Sequence, residues 1–313
     1  MRVLITGGSG FVGRRLCETL ARQGHGLQVV SRAPARARAQ LPDGCDVRDS
    51  ALAFADTPPE ALINLAGESI AVKRWSEAQK SEMIDSRLHA TGELAALCER
   101  LKEGGEPLPA VLVSASAMGY YGEQNDGDQN DTVVSEDTPP HDEFAHRLCA
   151  RWEAAAQPVA ELGVRTAIVR IGLVLGEGGG SLEKMLPPFR WGVGGRFGNG
   201  RQFMPWIHRD DLVAAISFLL GRESASGVYN ASAPHPVTNA EFTRTLGQVL
   251  HRPAVLPVPA LVLKAGLGEM SRLLLTGADM RPVRLQQAGF TFRYRTLDRA
   301  LEAILSSRPA ARG

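Results

Sequence analysis

Thirteen residues constrain the fold of this chain more than any others: Met1-Arg2-Val3-Leu4-Ile5-Thr6-Gly7-Gly8-Ser9-Gly10-Phe11-Val12-Gly13. Val3-Leu4-Ile5 is a short apolar run of the kind that forms a strand buried in a parallel sheet. Gly7-x-x-Gly10-x-x-Gly13 follows at once, and Arg14 to Arg22 then carries Leu16 and Leu20 at helical spacing. A glycine turn between strand and helix lets the backbone approach a pyrophosphate and aims the first helical amides at it. Gly13 lets the helix pack closely on the strand. Tight turns also collect glycine, so the pattern takes its force from context: a strand before, a helix after, and a second strand, Leu27-Gln28-Val29-Val30, on schedule. Gly7, Gly10, Phe11 and Val12 are the predicted pyrophosphate contacts.

The second strand ends at Ser31-Arg32. A site for NAD carries an acid at this strand end to hold the ribose hydroxyls. No acid stands near, and Arg32, Arg36 and Arg38 are there instead. A guanidinium suits a 2′-phosphate through charge-assisted, often bidentate, hydrogen bonds. NADP(H) is therefore the predicted cofactor, with Ser31 and Arg32 at its phosphorylated ribose. Asp43 to Asp49 reads as a third strand end, where Asp46 either meets the adenine or is a surface turn residue. Ala61 to Gly67 is a fourth strand closing on small residues, and Leu65, Ala66 and Gly67 let the backbone pass beside the cofactor.

The remaining pattern keeps alternating. A long helix is predicted from about Ser76 to Leu101, with Ser76 as N-cap and Gln79 placed for a capping box. Strands follow at Val111–Val113, Val164–Val169 and Gly227–Ala231. Between them, Gly122 to Pro140 is acidic and turn-rich, a surface excursion or lid. Glu177-Gly178-Gly179-Gly180-Ser181 is either a second anion cradle or a flexible entry to the helix Leu182–Phe189. Thr238 with Glu241 forms a capping-box pattern for a helix to about Leu250, and further helices are predicted up to Leu275 and over Leu297–Leu305. Strands alternating with helices predict an α/β fold, a Rossmann-like doubly wound parallel sheet with a smaller C-terminal α/β lobe. Residues 1–176 form the cofactor domain, 177–305 the substrate lobe, whose strands are free to interleave with the first, and 306–313 a tail.

The Thr-Gly-Gly-x-Gly-Phe-x-Gly spacing resembles the extended short-chain dehydrogenase/reductase superfamily, specifically its NAD-dependent epimerase/dehydratase branch. Asn64-Leu65-Ala66-Gly67 fits that family's signature at the fourth strand, and Trp206-Ile207-His208-Arg209-Asp210-Asp211 matches a segment that introduces a helix in the substrate half. Pro257-x-Pro259, Gly268-Glu269-Met270 and Ala288-Gly289-Phe290-x-Phe292 resemble the C-terminal domain of unknown function of one atypical branch, often called sugar-nucleotide epimerases or cell-division inhibitors. The likeness spans Met1 to about Leu305. It implies that Ser116 polarises the substrate oxygen, that Ser114 touches the cofactor, and that Gly172 to Val174 meet the nicotinamide. Arg87 stands where relatives place a polar residue facing the active site, and either reaches the cofactor or a substrate anion or is a helix-surface arginine. His208 either acts on substrate or positions backbone.

One departure matters. The reductase mechanism needs a tyrosine acid/base with a lysine four residues later. The four tyrosines, 120, 121, 229 and 294, are followed at that distance by Gln124, Asn125, Ala233 and Asp298. If Glu153 matches the acid usual after the motif, Ala145 and Cys149 occupy the two positions. Cofactor binding does not depend on that pair. Two functions are therefore expected: an NADP(H)-dependent oxidoreductase or epimerase-like enzyme on a small polar substrate, with His208, Tyr121 or water as acid, or a non-catalytic NADP(H)-binding or redox-sensing protein.

The formal net charge of +1 gives no reason to expect nucleic acid or an anionic membrane as partner. The four cysteines show no metal-ligand spacing, so no metal is expected and a reduced, cytoplasmic protein is the simplest reading. The first strand starts immediately, leaving no room for a signal peptide, and no apolar run reaches membrane-spanning length.

Overall fold

A computed structural model describes residues 1–71, 73–123 and 133–306. About half of the predicted acidic excursion (124–132) and most of the tail (307–313) lie outside the described residues.

The apolar run at the N-terminus forms β1 (Arg2–Thr6), and α1 (Phe11–Arg22) leaves the glycine turn. The chain continues through β2 (Gly26–Val30), α2 (Pro34–Arg38), β3 (Asp46–Arg48), β4 (Ala61–Asn64), α3 (Glu77–Glu103) and β5 (Val111–Ala117). Next come β6 (Val133–Val134), α4 (Phe144–Ala155), α5 (Gln157–Glu161), β7 (Arg165–Ile171), β8 (Leu173–Leu175) and α6 (Gly180–Arg190). β9 (Phe203–Met204), β10 (Trp206–His208), α7 (Arg209–Gly221), β11 (Gly227–Ala231), β12 (Val237–Thr238) and α8 (Asn239–Leu250) follow. The last elements are α9 (Ala260–Leu267), α10 (Arg272–Leu275), β13 (Asp279–Met280), α11 (Val283–Gln287) and α12 (Leu297–Ser306).

Seven strands form one parallel sheet in the order β11-β7-β5-β4-β1-β2-β3. This is a doubly wound, Rossmann-like sheet, and the direction of winding reverses between β1 and β4, where such sheets bind ligands at their C-terminal edge. Side chains alternate across it as strand geometry requires. Val3 and Ile5 pack on one face with Leu16 and Leu20 of α1 and with Leu212, Ile216 and Leu219 of α7. Leu4 points the other way, into Leu94, Leu97 and Leu101 of α3. Because β11 joins this sheet and α7 packs on its face, the chain beyond residue 176 contributes to both lobes. The smaller lobe has its own core of Leu182, Leu186, Phe189, Trp206, Phe242, Leu246, Leu301 and Ile304, from α6, β10, α8 and α12.

Local signals explain the helix ends. Thr238 and Glu241 form a complete capping box on α8. Ser76 accepts the Gln79 amide at the start of α3, but the Gln79 side chain does not return the bond and its Nε2 is buried without a partner. The apolar run after Pro257 is not one helix. Gly268, at φ +60, breaks it into α9, a 3₁₀ turn and α10. Among the described residues no helix is long and apolar enough to cross a membrane.

Candidate functional site

The β1–α1 turn is shaped by backbone contacts that exclude side chains. Gly7 has φ +73, and a Cβ there would stand 2.7 Å from the Leu65 carbonyl, just past β4. A Cβ on Gly13 would meet the Gly7 oxygen at 2.1 Å. Gly10, which donates to the Gly7 carbonyl at 3.0 Å, caps α1 with no side-chain acceptor, and the first turn of α1 holds no acid. The leading amides of α1, at Phe11 and Val12, are thus left for an outside anion, with the helix dipole behind them. The predicted turn residues come together here, and Leu65, Ala66 and Gly67 lie alongside.

At the end of β2, the Arg32 side chain is 90 % exposed, and its only ion pair among the described residues is a 3.9 Å contact with Glu68. A surface pair of this length is worth about 0–1 kcal/mol, so it holds the guanidinium only weakly against a competing anion. Arg38, by contrast, donates to the Val47 carbonyl at 2.6 Å and is occupied. Ser31 accepts the Ala33 amide in a tight turn. Asp46 opens β3 rather than ending it, two residues short of the level of Val30, and its exposed carboxylate pairs with Arg48 at 2.8 Å.

Beneath the edge of the sheet lies a layer of buried polar side chains. Asn64 accepts from Thr6 at 2.6 Å and donates to Thr91 and Ser114 at 2.8 and 3.2 Å, tying β1, β4, β5 and α3 together. Ser114 is therefore engaged within the sheet. β5 runs on to Ala117, so Ser116 points the same way, toward α4, where its hydroxyl donates to Glu153 at 2.6 Å. Glu153 also takes both ends of the Arg170 guanidinium, at 2.9 Å each. Arg170 reaches the Tyr121 hydroxyl at 3.1 Å and lies 3.3 Å above the Tyr120 ring, while Tyr121 donates to Asn230 at 2.6 Å. Burial alone would weaken the hold of Arg170 on its proton, but the bonds and charge of Glu153 keep it above its ordinary range. The Ser116 and Tyr121 protons are already given to protein acceptors, and neither group faces an open surface.

Ala145 and Cys149 sit one turn apart on α4. A Cβ on Gly119 would stand 3.1 Å from the Ala145 methyl and 3.6 Å from the Cys149 sulfur. The level of the missing tyrosine is thus that of Gly119, and Glu153, the partner of Ser116, lies eight residues or about 12 Å further down the helix. Burial pushes the Cys149 thiol up to about 12, so it is a neutral, enclosed group.

The Trp206–Asp211 stretch does structural work. His208 is buried, its Nδ1 accepts the Asp210 amide at 3.0 Å to cap α7, and its ring stacks on Tyr294 with centroids 3.9 Å apart. Asp210 pairs with Arg15 of α1 at 2.7 Å, and Asp211 accepts the amides of Arg293 and Tyr294. Burial, opposed by the Asp210 charge and aided by Arg209, Arg293 and Arg15, lowers the His208 pKa from 6.5 to about 4. A proton on Nδ1 would break the cap. The folded chain holds this ring neutral while the unfolded chain protonates it below about 6.5. Stability should therefore fall as pH drops from about 6.5 to about 4, by at most about 3 kcal/mol. Urea melts across that window should show a shallower slope for His208→Asn, which keeps an acceptor; equal slopes would exclude His208 as the cause.

Glycines 179 and 180 of the 177–181 loop close over the Phe11 ring, where added Cβ atoms would approach to 2.7 and 2.9 Å. The loop is packed on the first residue of α1, not a free linker. Val174, in β8, sits beside it, paired in register with Ile207.

A cleft of about 620 Å³ opens along α9 and α10, lined in part by Glu123, Asn199, Gln202, Lys264, Glu269 and Arg272. Arg272 meets Glu143, two residues before Ala145, at 3.4 Å. Burial, together with the charges of Glu123 and Glu269 and against that of Arg272, raises the Glu143 carboxyl above its usual range. Sequence reading passed over Glu143 and the Glu153–Arg170 pair. The detectable signal for the pair was an arginine inside the apolar run of β7. Among the described residues no group of three or more His, Cys, Asp or Glu is placed to hold a metal ion.

Comparison with known proteins places this geometry among relatives. Residues 3–232 match the NAD dependent epimerase/dehydratase family, and 258–304 match a domain of unknown function, DUF1731. The chain is 39 % identical over 310 residues to the chloroplastic epimerase family protein SDR39U1 homolog of Arabidopsis thaliana, covering 97 % of this chain and 87 % of that protein. It is 35 % identical to the epimerase family protein YfhF of Bacillus subtilis, covering 98 % and 99 % of the two chains. The crystal structure of human epimerase family protein SDR39U1 (isoform 2) with NADPH superposes with a TM-score of 0.86 at 35 % identity, over 98 % of this chain and 100 % of that one.

Proposed function

The chain belongs to the NAD dependent epimerase/dehydratase family, and from that premise we propose that it is an NADP(H)-binding oxidoreductase or epimerase-like protein acting on a small polar substrate in the cleft beside α4. The observation that carries the reading is the uncapped N-terminus of α1 in a turn where Gly7 and Gly13 admit no Cβ. That is the shape of a pyrophosphate cradle, and the human relative was solved with NADPH. The 2′-phosphate falls to Arg32, whose guanidinium stands exposed at the end of β2, held only by a long contact with Glu68. Held by these residues, a dinucleotide would supply hydride-transfer chemistry to the site.

Proton exchange is where this chain differs from ordinary reductases. Tyr121, Cys149 and His208 are each buried and held by protein partners, so none delivers a proton to a ligand in the cleft. Glu143 is better placed: it stands at the head of α4, meets the cleft-lining Arg272, and its raised carboxyl suits proton exchange nearer neutral pH. The loss of the tyrosine–lysine pair favours a second reading, an NADP(H)-responsive binding protein without turnover.

Fluorescence titration should show NADPH binding at least about ten-fold tighter than NADH, or about 1.4 kcal/mol. Arg32→Ala should remove most of that preference. Equal affinities in the parent protein would overturn the 2′-phosphate assignment. A substrate screen following NADPH absorbance then separates the two readings: turnover that falls in Glu143→Gln supports the enzyme, and silence with tight NADPH binding supports the binding protein.

A further inference from the structure

Arg87 is an unusual arginine. It lies in the middle of α3, 92 % buried by its 8 % exposure, yet forms no ion pair among the described residues. Its Nη1 donates to two backbone carbonyls, of Glu68 at 3.0 Å and Met83 at 2.8 Å, and its Nε has no partner. The guanidinium is pressed against the end of β4, where a Cβ on Gly67 would stand 2.8 Å from its Cζ. Its other face covers the Trp152 ring of α4 at 4.9 Å, and the charge is felt at Cys149. A buried cation with no contacting counter-ion is costly; two neutral carbonyls do not neutralise it, and the Glu68 carboxylate acts on it only from beyond ion-pair distance.

The topology says what passes this point. The pyrophosphate cradle is at β1, and the exposed Arg32 marks β2 as the adenosine side. The other half of an extended dinucleotide must cross β4 toward β5, over Gly67. That half brings ribose hydroxyls and a carboxamide, which are acceptor oxygens for an N–H donor. Cys149, on the neighbouring helix, provides no charge there.

We propose that Arg87 replaces, from α3, the cation absent at Cys149 of α4, and holds the ribose on the nicotinamide side of the cofactor. The proposal rests on the NADP(H) reading and specifies which residue secures its second half.

The test compares two ligands: NADPH, and adenosine 2′-phosphate 5′-diphosphate, which lacks the nicotinamide and its ribose. Arg87→Met should weaken NADPH about ten-fold or more, the loss of a charged hydrogen bond, and leave the fragment within about two-fold. Adding Cys149→Lys to Arg87→Met should recover part of the NADPH affinity by restoring a cation from α4. Unchanged NADPH binding in Arg87→Met, or an equal loss for both ligands, would overturn the proposal; the second result would mark Arg87 as scaffold only. If Arg87→Met does not fold, Arg87→Lys, with the charge kept and the planar fork lost, should show the same selective loss, and binding losses equal for both ligands would again refute it. Failure of the parent protein to bind either ligand would instead refute the cofactor reading.

Discussion

Gly13→Ala should destabilise the chain by at least about 3 kcal/mol, whereas Gly10→Val should leave it folded and abolish cofactor binding. The contrast comes from what each added carbon meets. At Gly13 a Cβ would stand 2.1 Å from the Gly7 oxygen and 2.7 Å from the Gly8 Cα, both backbone atoms, so α1 must move off the turn. α1 carries Leu16 and Leu20 into the core against α7, and that packing moves with it. At Gly10 the nearest atom is the Gly7 oxygen at 3.2 Å, and the backbone is extended with φ −76, which a valine adopts. The branched side chain instead fills the approach to the Phe11 and Val12 amides. NADPH affinity should drop at least about 100-fold, or about 2.7 kcal/mol, with the urea midpoint nearly unchanged. Normal NADPH binding by folded Gly10→Val would show that the pyrophosphate binds elsewhere.

The two glycines also show what a sequence reveals. A strand, a glycine turn and a helix are local, so β1, the cradle and the parallel sheet are legible in residue order alone. The acid missing after β2 was legible for the same reason, because its absence is read within a few positions of Val30. Tertiary facing is not local. Ser116 was placed at a strand end, but β5 continues to Ala117, and strand alternation then aims the Ser116 hydroxyl at Glu153 on α4. His208 carries a matching motif, yet whether its ring meets a ligand or caps a helix depends on Tyr294, 86 residues later, which closes over it. The single apolar helix expected before Leu275 failed at Gly268, where one positive φ turns the chain. Arg87 belongs to the same class: helical spacing fixes its face, and only the packed fold shows that it forms no ion pair among the described residues.

Arg170→Leu or Glu153→Leu alone should cost about 3–5 kcal/mol, while the double replacement should cost less than either. The pair is buried, with 4 % of the Arg170 side chain and 13 % of the Glu153 side chain exposed. Removing Arg170 strands a carboxylate whose remaining donor is the Ser116 hydroxyl; removing Glu153 strands a guanidinium among Tyr120, Tyr121 and the Glu136 carbonyl. Removing both takes away the uncompensated charge, and leucines fill much of the space. A double-mutant cycle in urea should therefore return a large coupling energy, and costs that simply add would show that the two residues act independently. The cycle also has a functional arm. Arg170 lies under the Tyr120–Tyr121 turn that places Gly119 against Ala145 and Cys149. In the folded double variant that support is apolar and undirected, so NADPH affinity, set largely at Gly10 and Arg32, should be nearly kept, while any turnover found for the parent protein should fall.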